Sequence, residues 1–130
     1  MKFEQLLNHF DTGICVDQMQ KEALIDIALL FIGVDGVISE SEKHVVRKWA
    51  KSLQWNSAIA LDDYIEDSLS KSVIAIKNND IEAYVQHRMN NIIDEPMRKL
   101  AKDLAVRVIE ADGNVKQAEK DALAILEAEL

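Results

Sequence analysis

Apolar residues recur at three- and four-residue intervals along most of the chain, and no stretch alternates long enough to read as a strand. The pattern predicts helices throughout. Phe3, Leu6, Leu7 and Phe10 give a short amphipathic lead helix within residues 1–16, closed by Asp11-Thr12-Gly13. It either packs on the body of the domain or serves as a docking arm for another subunit. From a cap at Asp17, the residues Met19, Ala23, Ile27, Leu30 and Val34 form one stripe, and Leu24, Ile25, Ala28, Leu29 and Ile32 fill the other sides. A helix apolar almost all round is a central, buried one. This one should end between Gly33 and Gly36, where glycine can take the left-handed backbone of a helix C-terminus.

Ser39 with Glu42 three residues on reads as a capping box for the next helix, which runs to about Leu53. Its inner face is Val45, Val46, Trp49, Ala50 and Leu53; Lys43, Arg47, Lys48 and Lys51 make a basic outer face. A helix restarts near Ala58 with Ile59, Leu61, Tyr64, Ile65 and Leu69 inward, and continues through Val73, Ile74 and Ile76. Asn78-Asn79-Asp80 breaks it. A shorter helix follows with Ile81, Tyr84, Val85 and Met89 inward. Asp94 followed by Pro96 is a strong start signal. The helix from there to about Ala111 carries Leu100, Leu104, Val106, Val108 and Ile109, repeating the central character of the first. The last helix carries Ala118, Ala122, Leu123, Ile125, Leu126 and Leu130.

Sliding the chain by 77 positions lays Asp35-Gly36 on Asp112-Gly113, Ile38 on Val115 and Glu42 on Glu119. Upstream, Asp26 falls on Asp103, Ala28 on Ala105 and Ile32 on Ile109. The expected fold class is therefore all-α, a single domain over residues 1–130. It is a compact bundle of about seven helices with an internal two-fold-like repeat of long helix, DG corner and helix. The two copies cover residues 18–53 and 95–130.

Composition narrows the function. The formal net charge of −8 repels phosphate backbones, so nucleic-acid binding is not expected, and cations or basic partners are. Cys15 is the only cysteine, which excludes an internal disulfide and suits a cytoplasmic setting. No signal peptide is visible at the N-terminus, and the longest apolar run, Ala23 to Val34, is interrupted by Asp26 and too short to span a bilayer.

Both corners read D-G-x-hydrophobic-x-x-x-E, the second half of an EF-hand calcium loop. The first half is absent: the first and third ligand positions hold Phe31 and Gly33, or Val108 and Glu110. Two readings stand. In one, glycine supplies the turn, Ile38 or Val115 staples the corner into the core, and each glutamate caps its own helix. In the other, the corners bind a divalent cation, calcium or magnesium, through Asp35, Glu42, Glu110, Asp112 and Glu119. The second corner is then the better oxygen cluster, because Lys116 at its cap position offers no side-chain acceptor.

Asp26 and Asp103 lie inside apolar helices. Each either pairs with a basic residue, Arg107 being a candidate, or lies on an exposed stripe, or joins a polar centre between the long helices. His9, His44 and His87 are scattered; His44 shares a helical face with Glu40. No H-E-x-x-H, C-x-x-C or G-x-S-x-G occurs, and Cys15 lacks an activating neighbour, so no enzyme is expected. Trp49 and Trp55 read as core or corner packing.

The paired corners, Val34 to Lys43 and Ala111 to Lys120, resemble the tellurite-resistance TerB family, all-helical bacterial domains with two such corners. The family's wider clan includes the N-terminal region of some membrane-anchored DnaJ-type co-chaperones. The similarity covers roughly residues 18–130 and is most specific at the second corner. The resemblance implies a cytoplasmic stress-response module, membrane-proximal through its partners, and a metal-binding role for Asp35, Glu42, Asp112 and Glu119 with Glu40 as accessory. The chain departs from the pattern at Gly33-Val34, and at Lys116-Gln117-Ala118 where acidic residues are usual. Protein partners are expected, a second copy of the chain among them.

Overall fold

Helix α1 (Gln18–Gly33) runs through the centre of the protein, with 13 of its 16 residues buried. The computed structural model describes residues 18–34, 40–52, 55, 59–110 and 115–130, without the side chains of Ser41, Glu42, Val45 and Ser52. The expected lead helix at 1–16 and both Asp-Gly corners lie outside the described residues. Five more helices follow among the described residues: α2 (Glu40–Ser52), α3 (Leu61–Lys77), α4 (Ile81–Asn90), α5 (Glu95–Glu110) and α6 (Gln117–Ala128). No strand occurs among the described residues. The described part of the chain is all-helical, as the periodicity implies.

The all-round apolar character of α1 is what makes it central. Helices α2, α3, α4 and α5 all pack on it, and α6 closes the far side against α4 and α5. Leu24, Ile25, Ile27, Leu29, Leu30 and Phe31 are fully buried. Burial of each such side chain contributes about 1.5–3 kcal/mol, so this one helix carries a large share of the hydrophobic stabilisation. The other helices each present one buried stripe. Val46, Trp49 and Ala50 do so on α2, and Leu61, Ile65 and Leu69 on α3.

Helix α5 departs from expectation. Met97, Ala101, Leu104, Ala105 and Ile109 are buried, whereas Leu100, Val106 and Val108 are only half-buried. Its outer side carries Lys99, Asp103 and Glu110, so it is an amphipathic wall of the bundle rather than a second centre. Ile59 is likewise outside: α3 begins two residues later, after the extended Ala60, and Ile59 is exposed. Val115 is exposed as well and does not staple its corner into the core.

The connections position the polar groups. The break between α3 and α4 turns on Asn79, the one non-glycine residue with positive φ (60°) among those described. Asparagine tolerates that left-handed backbone better than most residues. Asn78, Asn79 and Asp80 donate their N–H groups back to Ile74, Ile76 and Ala75, satisfying the last carbonyls of α3. Helix α5 starts where Asp94 and Pro96 predict, with Met97 and Arg98 donating to the Asp94 carbonyl. The Asp94 side chain is turned to α1 instead: Gln20 Nε2 donates to its Oδ2 at 3.1 Å, and its own N–H donates to Gln20 Oε1 at 3.2 Å.

Arg98 joins the ends of two helices. Its Nη1 donates to the carbonyls of Met89 (2.7 Å) and Ile92 (2.9 Å), and its Nη2 donates to the carbonyl of Glu129. A cation set among terminal carbonyls is favoured by both the hydrogen bonds and the helix dipoles. Across the surface, α2 and α3 are tied by Lys43–Glu66 (3.5 Å) and Arg47–Asp62 (2.6 Å). The basic face of α2 is thus partly turned to an acidic neighbour. The acids of these pairs are well exposed, so each pair contributes little.

Candidate functional site

The five carboxylates proposed as cation ligands meet different fates. Asp35 and Asp112 lie outside the described residues, as does the side chain of Glu42. Glu110 is exposed at the last residue of α5. Glu119 is buried in the first turn of α6, where its Oε1 accepts the Lys116 N–H at 3.1 Å. That hydrogen bond is the glutamate half of a capping box, and it needs no acceptor on the Lys116 side chain. Capping therefore accounts for Glu119 although Lys116 offers no side-chain acceptor. Glu40 is exposed and pairs with Lys43 at 3.4 Å. Among the described residues no group of three or more His, Cys, Asp or Glu side chains is placed to hold a metal ion.

The structure draws its polar centre elsewhere, around Asp26. This carboxylate is only 4% exposed, in the middle of α1. Its Oδ1 accepts from Ser68 Oγ at 2.6 Å and from the Tyr64 hydroxyl at 2.9 Å, both on α3. Its Oδ2 accepts from Arg88 Nε on α4 at 2.7 Å. Arg88 lies over the Tyr84 ring, 4.4 Å from its centroid, a cation–π contact. Its Nη1 is 2.6 Å from His87 Nδ1. Tyr64 also packs against Trp55, with ring centroids 5.0 Å apart, and Trp55 Nε1 donates to the Ile59 carbonyl.

Each element has a local reason to place its group here. Tyr64 and Ser68 are four residues apart on α3 and so share one helical face, the face that also carries Ile65, Leu69 and Ser72 into the core. Tyr84 and Arg88 have the same spacing on α4, beside Val85 and Met89. Asp103, the repeat counterpart of Asp26, is exposed, and Arg107 is not a partner of Asp26. Of the alternatives the sequence left open, Asp26 takes the paired one with Arg88, and Asp103 takes the exposed stripe.

Burial pushes the Asp26 carboxyl above the ordinary aspartate range, while Ser68, the Arg88 charge and Tyr64 pull the other way. Burial pulls Arg88 down, but the Asp26 charge, Tyr84, the hydrogen bond to Asp26 and Tyr64 together hold it above its ordinary value. The Tyr64 hydroxyl is pushed well up by burial and by the neighbouring Asp26 anion. Tyr84 is pushed up to about 12 by the same causes in the same order. Both phenols are therefore neutral donors at any physiological pH. Both Asp26 oxygens are engaged, so the arrangement cross-links α1, α3 and α4 and offers no idle base.

Comparison with protein-family models, curated proteins and solved structures finds no match. The TerB resemblance accordingly rests on the residues of the two corners. No helix among the described residues is long and apolar enough to cross a membrane.

Proposed function

We propose that this chain is a non-enzymatic, TerB-like stress-response module that works by binding a basic protein partner. The observation that carries the reading is the division of labour among its charged groups. The buried set of Asp26, Tyr64, Ser68 and Arg88 is closed on itself. Exposed acids lie on α3 and the start of α4; Asp62, Glu66 and Asp67 are paired with Arg47, Lys43 and Lys71, and Asp63, Asp80 and Glu82 add negative charge beside them. Such a surface steers cationic partners and repels nucleic acid. Helix bounds support the repeat: α1 and α5 each run 16 residues, and the starts of α1 and α2 recur at α5 and α6 with the same 77-position offset.

The test is a titration with a Lys/Arg-rich peptide followed by fluorescence anisotropy at low and high salt. Binding should weaken with salt, and Asp63→Asn with Asp67→Asn should weaken it more than the charge-matched Asp121→Asn with Glu127→Gln. Equal weakening by the two pairs would count against a surface localised on α3.

A second reading keeps the acidic corners as a divalent-cation site, because Glu110 at the end of α5 and Glu119 at the start of α6 bracket Asp112. Calcium or magnesium at millimolar concentration should then raise the melting temperature. Glu110→Gln with Asp112→Asn should abolish the rise while leaving the Glu119 cap intact. No shift in the unmodified chain would sink that reading.

A further inference from the structure

On the outer side of α3, Asp63, Asp67, Ser70, Ile74 and Lys77 are all exposed and fall alternately four and three residues apart. That mean spacing of 3.5 residues sets them in one straight seam along the helix, the arrangement by which two helices pair side by side. Their chemistry is graded along the seam. Acids stand at its start, a small hydroxyl in the middle, then Ile74, 57% exposed, and a lysine at the end. Ser70 Oγ donates back to the Glu66 carbonyl at 3.1 Å, so it asks for no outside partner. Asp62 and Glu66 lie off the seam, turned to Arg47 and Lys43 of α2. No ion pair or side-chain hydrogen bond ties Asp63 or Lys77 to another described residue. Asp67 meets Lys71 one turn along at 2.9 Å, and both are well exposed, so that pair contributes little.

We propose that this seam docks a second copy of the chain, the two α3 helices lying antiparallel across a two-fold axis. A contact of that symmetry needs a surface complementary to itself. A gradient from acid to base along one helix meets the need only when the second helix runs the opposite way. With the axis between Ser70 and Ile74, each Ile74 lies against Ser70 of the second copy, whose small side chain lets the backbones approach. Each Lys77 then lies beside Asp67 of the second copy, one helical turn from Asp63. The apolar stem of Lys71 covers the flank of the Ile74 contact. A parallel pairing would instead set acid against acid and Lys77 against Lys77.

The size of the contact sets its strength. The 17 residues of α3 span about 25 Å. An interface one helix wide falls below about 1,200 Å², at the small end of specific interfaces. The net charge of −8 on each chain opposes approach until opposite charges interleave. The pairing is therefore weak and reversible, and it shows at high protein concentration. It shares Asp63 and Asp67 with the surface proposed for a basic partner, so a second copy and a basic peptide compete there. It does not rest on that reading, because Ile74 and Lys77 of the chain itself supply the complement.

Sedimentation equilibrium of the full chain, from micromolar to millimolar concentration, tests the pairing. The weight-average mass of the unmodified chain should rise toward twice that of one copy. Ile74→Asp should hold it at one copy; the side chain is exposed, and circular dichroism checks that the variant stays folded. Asp63→Lys with Asp67→Lys should be monomeric, and so, separately, should Lys77→Glu. Mixed in equal amounts, these two variants should associate at least as well as the unmodified chain, because each then meets opposite charge at both ends of the seam. A mass of one copy throughout, a dimer that Ile74→Asp leaves intact, or a mixture no more associated than its components would overturn the pairing. Binding of the Lys/Arg-rich peptide is read on dilute chain, so a strict monomer that still binds the peptide overturns the pairing alone.

Discussion

Replacing Arg88 with Met removes a cation but keeps a side chain of similar reach, so it isolates the charge. Three interactions go: the 2.7 Å hydrogen bond to Asp26, the position over the Tyr84 ring, and the contact with His87. What remains is a carboxylate 4% exposed with two hydroxyl donors and no counter-charge. Removing one partner of a buried pair costs about 3–5 kcal/mol. Arg88 is partly exposed, and solvent screening argues for the lower end, about 3 kcal/mol near neutral pH. The pH dependence carries the sharper sign. Without Arg88 the folded carboxyl rises further above its unfolded value of 3.8, because one of the influences lowering it is gone. A raised folded value contributes stability that is fully present below the unfolded pKa and lost as pH rises through the folded one. Arg88→Met should therefore sit closest to the unmodified chain in mild acid and furthest from it near neutral pH. Urea denaturation followed by far-UV circular dichroism at several pH values reads both quantities. A loss below about 1 kcal/mol, or a loss independent of pH, would refute the assignment of Asp26 as a charge held by Arg88.

Three further outcomes follow from single residues. Arg98→Ala removes the donor to the carbonyls of Met89, Ile92 and Glu129 and should cost about 2–3 kcal/mol in the same urea assay, with Arg98→Lys restoring only part because an ammonium lacks the planar fork. Glu119→Ala loses the acceptor of the Lys116 N–H and should cost about 1 kcal/mol, most of it recovered by Glu119→Gln. At Asn79, with φ of 60°, Asn79→Gly should be neutral or stabilising, and Asn79→Val should lower stability by about 1–2 kcal/mol, both measurable as shifts in melting temperature.

Legibility divided along physical lines. Helix type and order could be read because burial follows a local period, and α1 shows it most plainly: apolar on every side in sequence, buried on every side in space. The Asn78–Asp80 break and the Asp94-Pro96 start were equally local signals. The repeat misled at α5, because equivalent positions need not share an environment; Asp26 is buried and Asp103 exposed. Asp26 stood out in sequence, but its partner Arg88 lies 62 residues away, a separation no spacing rule reaches. A weak signal for it existed. Arg88 follows Tyr84 by one helical turn on an inward stripe, and Ser68 occupies a core position between Ile65 and Leu69. The corner spacing offers Glu119 as a ligand and Lys116 lacks a side-chain acceptor, yet the glutamate half of the capping box forms without one.

A double-mutant cycle on Asp26→Asn and Arg88→Met asks most simply whether the buried carboxylate is architecture. If Asp26 and Arg88 act as one unit, the double variant should lose less than the two single losses together, with a coupling of about 2 kcal/mol near neutral pH. Losses that simply add would contradict the account, because Asp26 and Arg88 would then not act as one unit joining α1 to α4.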